Sequence, residues 1–168
     1  MTEDKPDPVE FIPPSFELRA KAGTSDSYVS DMLDKANAAL QRLGPEYLVW
    51  VRADIKRLEA AIAKLAQTGN AAPETKRCLE AVYAISHDMK GQGGTFGYDL
   101  VTDILHNLCQ YLENREAAND YERHVIQLHV NAVKQVTDNE LTGDGGDAGQ
   151  ALLHGLREVV EIDRHGGA

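Results

Sequence analysis

His87-Asp88-Met89-Lys90-Gly91-Gln92-Gly93-Gly94-Thr95-Phe96-Gly97 places a nucleophile, a cation and four glycines within eleven residues. Helical periodicity runs into this stretch, and each glycine inside a helix costs about 1 kcal/mol relative to alanine. At about 100° per residue, with His87 set to zero, Lys90 falls near −60°, Gly91 near +40° and Gly94 near −20°. Tyr83 falls near −40° and Ala84 near +60°, whereas Met89 lies about 160° away. His87 is therefore expected to point outward, among residues with little or no side chain. A neutral imidazole is a competent nucleophile near pH 7 because its reference pKa is about 6.5. Missing Cβ atoms let another backbone come close. Lys90 would stabilise an arriving anion such as a phosphoryl group.

The elements that position this face read as helices throughout. Residues 1 to 23 are expected to form a flexible tail, because Pro6, Pro8, Pro13 and Pro14 interrupt any helix. Phe11, Ile12, Phe16 and Leu18 could lay part of it along the domain as a strap. Thr24 to Ser27 offer N-cap side chains for a first helix carrying Val29, Leu33, Ala36, Leu40 and Leu43. Gly44 ends it and Pro45 opens a second, with Leu48, Val51, Ile55, Leu58, Ile62 and Leu65 in steps of three and four. A third starts at Pro73 and buries Leu79, Val82, Ser86, Met89 and Gly93. A fourth runs from about Tyr98 to Asn114 with Val101, Ile104, Leu108 and Tyr111 inward. A fifth begins near Asn119 and has two adjacent apolar stripes, Val125, Leu128, Ala132, Val136 and Ile126, Val130, Val133, as a helix with two neighbours would. Residues 141–150 read as a Gly/Asp linker, and a last helix from about Ala151 carries Leu152, Leu153, Leu156, Val159 and Val160. Short connections between amphipathic helices imply antiparallel neighbours. The expected fold is all-α, an up-down antiparallel four-helix bundle over residues 24–140 with additional N- and C-terminal helices. The segment 141–168 is expected to pack its helix on the bundle.

Composition narrows the function. With 42% hydrophobic and 26% charged residues the chain is globular in character, and a net charge of −10 with scattered lysines and arginines argues against a nucleic-acid partner. No run approaches the roughly 20 apolar residues of a membrane span, and the acidic, Pro-rich start has no apolar signal core. Cys78 and Cys109 read as free thiols, and the protein as cytoplasmic and monomeric. No Gly-rich strand–turn–helix cradle is present, so ATP binding is not expected and a phosphoryl group would come from another protein. His106 reads as a histidine at the core edge, His124 and His129 fall on different faces of helix five, and His154 and His165 fall in or beyond the last helix. No histidine has a Glu three residues before it or a His four away, which disfavours a metal-binding bundle.

His87, Lys90, Gly91 and Gly97 match the HxxKGxxxxxG signature of histidine-containing phosphotransfer (HPt) domains, and residues from about Tyr28 to Asn139 are similar to that family in helix order. The resemblance implies a phosphorelay intermediate. His87 would be the phosphoacceptor and Lys90 would stabilise the phosphoryl group. Tyr83, Ala84, Gly91 and Gly94 would form the docking face for response-regulator receiver domains, served by a hybrid histidine kinase. The implied protein is a phosphocarrier rather than an ATP-dependent kinase. It needs no cofactor or metal of its own, Mg²⁺ coming with the receiver domain. A helical adaptor that binds through the same surface without chemistry is the alternative, and only the need for His87 separates the two.

Overall fold

A computed structural model describes residues 16–166. It holds six α-helices and, among the described residues, no strand: α1 (Phe16–Arg42), α2 (Gly44–Leu65), α3 (Pro73–Gly93), α4 (Asp99–Leu112), α5 (Asp120–Asp138) and α6 (Gly146–Gly166). The fold is all-α, as the periodicity requires. The chain divides into two compact units between Ala39 and Leu40.

In the first unit the described chain is helical from Phe16 onward. The chain is thus already helical ahead of the Thr24 capping signal, and Phe16 to Gly23 are helical rather than a tail. The part of the expected tail that precedes Phe16, with Phe11 and Ile12, lies outside the described residues. Tyr28, Val29, Met32 and Leu33 of α1 are exposed.

The second unit holds the core. α2 packs on α3 and α5, α4 packs on α3 and α5, and α6 lies against α4 and α5. Prolines sit in the first turns of α2 and α3, where the missing N–H is no loss. α5 opens with a capping box: the Asn119 side chain accepts from the Glu122 N–H at 2.9 Å, and the Glu122 carboxylate accepts from the Asn119 N–H at 2.7 Å. Leu58, Leu65, Val82, Leu100, Ile104, Leu105, Leu108, Ile126 and Val130 are buried in one cluster. Each such side chain contributes about 1.5–3 kcal/mol on leaving water. Of the two expected stripes on α5, Leu128 alone is exposed.

Polar ties set how α2 and α5 run. Arg52, early in α2, faces Asp138 at the end of α5 at 3.9 Å. Lys134 reaches Glu59 at 2.9 Å. Arg123, early in α5, donates to the Leu65 carbonyl and, at 3.0 Å, to the Thr68 carbonyl at the end of α2. α6 is held by Leu153, Leu156 and Val160, all buried, and by a half-buried cluster. Arg115 lies 4.0 Å above the Tyr111 ring, pairs with Glu122, and donates to Asp163 of α6 at 2.8 Å. The Tyr111 hydroxyl donates to the same carboxylate at 3.0 Å. Burial, chiefly, pushes the Tyr111 phenol above its ordinary range.

α6 starts at Gly146, inside the segment expected to be a linker. Gly149 explains why. It is buried, and a Cβ there would collide with the Asp144 carbonyl and, at 2.8 Å, with Leu100 of α4. The glycines that look like helix breakers let the helix start press against α4.

Candidate functional site

α3 carries the site because one side of it is needed for the core and the other is not. Thr75, Leu79, Val82, Ser86, Met89 and Gly93 are buried, the stripe expected from spacing with one turn added. His87 is exposed, about 120° from the middle of that stripe. Its ring stacks on Tyr83, one turn back, with centroids 6.0 Å apart and planes 23° apart. Ala84, Asp88, Gly91 and Gly94 are exposed beside it. Lys90 is half-buried at the α4 edge of the face and, among the described residues, is in no ion pair. Its charge reaches the groove between α3 and α4: burial pushes the Cys109 thiol of α4 up, and Lys90 opposes the rise. Helical side chains lean toward the N-terminus. Lys90 therefore leans back along α3 toward the level of His87.

The four glycines do three different jobs. A Cβ on Gly91 would meet nothing within 4 Å, so that position is open to an approaching molecule. On Gly94 it would make ordinary contact with Asp99 Oδ1 at 3.5 Å and Thr102 Oγ1 at 3.7 Å, so this glycine is open outward and touches α4 inward. On Gly93 it would lie 2.6 Å from Thr102 Oγ1 and 3.0 Å from the Tyr98 carbonyl. That glycine is where α3 and α4 close on each other. Gly97 ends the helix in the left-handed region at φ 80°. The Tyr98 N–H donates to the Gly93 carbonyl at 2.9 Å and the Gly97 N–H to the Gly94 carbonyl at 3.3 Å, the two bonds of a Schellman cap.

Thr102 of α4 holds this end together and gave no sign of doing so in the sequence. Its hydroxyl accepts from the Gly94 N–H at 2.8 Å and donates to the Lys90 carbonyl at 3.1 Å. One hydroxyl has both capacities. The backbone that carries Lys90, Gly91 and Gly94 is thereby fixed to α4 while its outer surface stays bare. A lone threonine among apolar helix positions has no distinguishing pattern; only the spatial neighbour reveals it.

The other histidines are dispersed. His106 and His124 are exposed, so His106 stands outside the core edge where its spacing had put it. His154 faces Glu158 at 3.4 Å, and His165 Nδ1 lies 2.7 Å from the Glu161 carbonyl. His129 is fully buried between α5 and α4. Its Nδ1 is 2.8 Å from the Val125 carbonyl and its Nε2 is 2.7 Å from the Asn107 side-chain amide. A carbonyl can only accept, so Nδ1 carries a proton. Burial lowers the pKa and favours the neutral ring; the atom placed 2.7 Å from Nε2 is Asn107 Oδ1, and since the amide's oxygen and nitrogen are assigned by their hydrogen bonds, a neutral ring requires the amide turned over so that its NH₂ donates to Nε2. Sequence spacing separated this residue from His124 but did not mark it as core. Among the described residues no group of three or more His, Cys, Asp or Glu side chains is placed to hold a metal ion, and no helix is long and apolar enough to cross a membrane. Cys78 and Cys109 are free thiols.

A family model described as Hpt domain matches residues 45–139, more than half of the chain, from the first turn of α2 to the end of α5. It takes in the whole His87 face and leaves out α1 and α6. No curated protein and no solved structure matches significantly.

Proposed function

The chain belongs to the Hpt domain family, whose members carry out histidine phosphotransfer in phosphorelays, and on that premise we propose that His87 accepts a phosphoryl group from a receiver-domain aspartate and passes it to a second receiver. The observation that carries this reading is the combination at one spot of an exposed imidazole, an uncommitted Lys90 and a Gly91 with nothing within 4 Å. α2 to α5 form the up-down antiparallel bundle, a reading supported by the short connections and by the opposed ends of α2 and α5. The protein works as a cytoplasmic monomer, receives its phosphoryl group through a receiver of a hybrid histidine kinase, and is a carrier rather than an ATP-dependent kinase.

The step is a displacement at phosphorus. The unprotonated ring nitrogen of His87 attacks, the P–O bond to the donor aspartate breaks, and the carboxylate leaves with the bonding electron pair. The proton on the other ring nitrogen stays, so the ring becomes an N-phosphoimidazolium. Lys90 offsets the charge on the phosphoryl oxygens as they arrive. Tyr83 limits the ring's motion by stacking, and the bare Gly91 surface admits the loops that surround the donor aspartate. Transfer onward is the same step reversed, with Mg²⁺ held by the receiver.

Incubation with a radiolabelled, phosphorylated receiver tests the reading. Label is expected on the chain as acid-labile phosphate and is expected to vanish in His87→Gln with the helical spectrum unchanged. Label that persists in the variant moves the site elsewhere, with His106 and His124 the exposed candidates. A chain that binds the receiver yet never takes label is an adaptor.

A further inference from the structure

In an unbroken α-helix the Gly94 N–H would donate to the Lys90 carbonyl, four residues back. In α3 the Thr102 hydroxyl stands between them, accepting from Gly94 at 2.8 Å and donating to Lys90 at 3.1 Å. A side chain of α4 thus relays one rung of the α3 ladder, and the turn 90–94 takes its geometry from α4. Thr102 itself lies in the first turn of α4. That turn has no side-chain cap, because Tyr98 occupies the N-cap position without making one.

Gly143 holds the start of α4 instead. The Leu100 N–H, one of the orphan donors of a helix start, donates to the Gly143 carbonyl at 2.8 Å. The Gly143 N–H donates to the Gly97 carbonyl at 2.6 Å. One residue therefore ties the last glycine of the signature to the first turn of the next helix. It does so at φ 61°, in the left-handed region that favours glycine. Gly145 presses on the same turn: a Cβ there would lie 2.6 Å from the Leu100 side chain. The Leu100 and Thr102 side chains point about 160° apart around α4. The turn is gripped on one flank by residues 143–145 and holds Lys90 and Gly94 from the other. The family match ends at residue 139, so the grip comes from a part of the chain that the family pattern does not cover.

We infer that Thr102 and Gly143 are positioning residues for phosphotransfer: Gly143 fixes the first turn of α4, Thr102 fixes the turn of α3 that carries Lys90, and the Lys90 charge is thereby held where the phosphoryl group arrives. The inference rests on the proposed function and deepens it. Neither residue touches the phosphoryl group; both act through Lys90. A cation stabilises the transferring oxygens best when it is in place before they arrive, and displacing a group by about 1 Å lowers a rate by up to about a hundredfold. Without the hydroxyl, the Gly94 N–H and the Lys90 carbonyl either close on each other or lose their partner. Either result moves Lys90. The segment after α5 is therefore a working part of the site.

The assay is single-turnover labelling of the full-length protein by a phosphorylated receiver domain already shown to label the wild type, over a range of receiver concentrations. Thr102→Val keeps the side-chain shape and removes the hydroxyl. Gly143→Pro removes the N–H and cannot take a positive φ. Each should lower the maximal rate about fivefold, with the half-saturating receiver concentration within about twofold of wild type. Thr102→Ser restores a hydroxyl and should recover the rate. In a Lys90→Ala background neither change should slow transfer further, because the group they position is gone. A merely structural role would add its loss in both backgrounds. An unchanged rate in either folded variant overturns the inference. So does a Thr102→Ser that fails to recover, a loss that persists in full in Lys90→Ala, or a Lys90→Ala that keeps the wild-type maximal rate. If Gly143→Pro does not fold, Gly143→Ala decides in its place, because its Cβ meets nothing within 4 Å and only the positive φ is strained. Absence of label on the wild type from every receiver tried is a different result and removes the proposed function itself.

Discussion

Gly91 and Gly93 are two residues apart in one helix, and alanine should have opposite effects on them. At Gly91 a new methyl meets nothing within 4 Å. The helix then gains the propensity difference alone, up to about 1 kcal/mol, which raises Tm by about 4 °C for a unit of this size. At Gly93 the same gain is offset by a methyl 2.6 Å from Thr102 Oγ1, 3.0 Å from the Tyr98 carbonyl and 3.2 Å from the Thr102 N–H group. Two of these contacts are backbone and cannot swing away. Overpacking of this kind costs about 1–3 kcal/mol. Displacing the Thr102 hydroxyl from Lys90 and Gly94 loses two hydrogen bonds at about 0.5–1.5 kcal/mol each. The net loss is about 3 kcal/mol, or about 12 °C. Thermal unfolding followed by far-ultraviolet dichroism reads both. Phosphotransfer adds the second half: Gly91→Gln should leave the fold intact but slow labelling by obstructing approach, whereas Gly91→Ala should slow it much less. A loss of more than about 2 kcal/mol in Gly91→Ala would mean that Gly91 is packed against another helix and that the His87 face is turned inward. A neutral Gly93→Ala would refute the close approach of α3 and α4.

Lys90→Ala should slow transfer or shorten the lifetime of phosphohistidine at a stability cost near 0.5 kcal/mol; an unchanged rate and lifetime, measured by decay of radiolabel, would deny the cation its role. His129 is held neutral in the core, so its folded pKa is depressed below the unfolded value of about 6.5. The unfolded chain then binds the proton first, stability is full above about pH 6.5 and falls as pH falls below it; urea unfolding from pH 7.5 to 5.5 should show this slope, and His129→Gln should flatten it. Asp163→Ala leaves Arg115 half-buried with Glu122 alone and should cost about 1–3 kcal/mol. Amide hydrogen exchange should then quicken across Gly146–Gly166, with transfer to His87 unchanged; equal protection in variant and wild type would show that the cluster does not hold α6.

Helix type and the inward face of α3 were legible in the sequence because both depend on a periodicity that a single helix displays by itself. The stripe Leu79, Val82, Ser86, Met89 and Gly93 needed only steps of three and four, and it is the buried one. What stayed hidden depends on a second element. Gly91 and Gly93 are the same letter, and nothing local separates a glycine that clears space for a visitor from one that lets Thr102 approach. Gly149 read as linker for the same reason: a glycine required by close packing against Leu100 looks like one that breaks a helix. Trp50 and Phe96, forty-six residues apart, meet only because α2 and the end of α3 are neighbours. The His87 face combines information from two elements. The nucleophile and its cation are written along one helix. The rigidity behind them comes from α4 through Thr102. A fragment carrying α3 alone would present the motif without the support that keeps its backbone in place, so the chemistry of His87 belongs to the packed bundle rather than to the eleven residues that announce it.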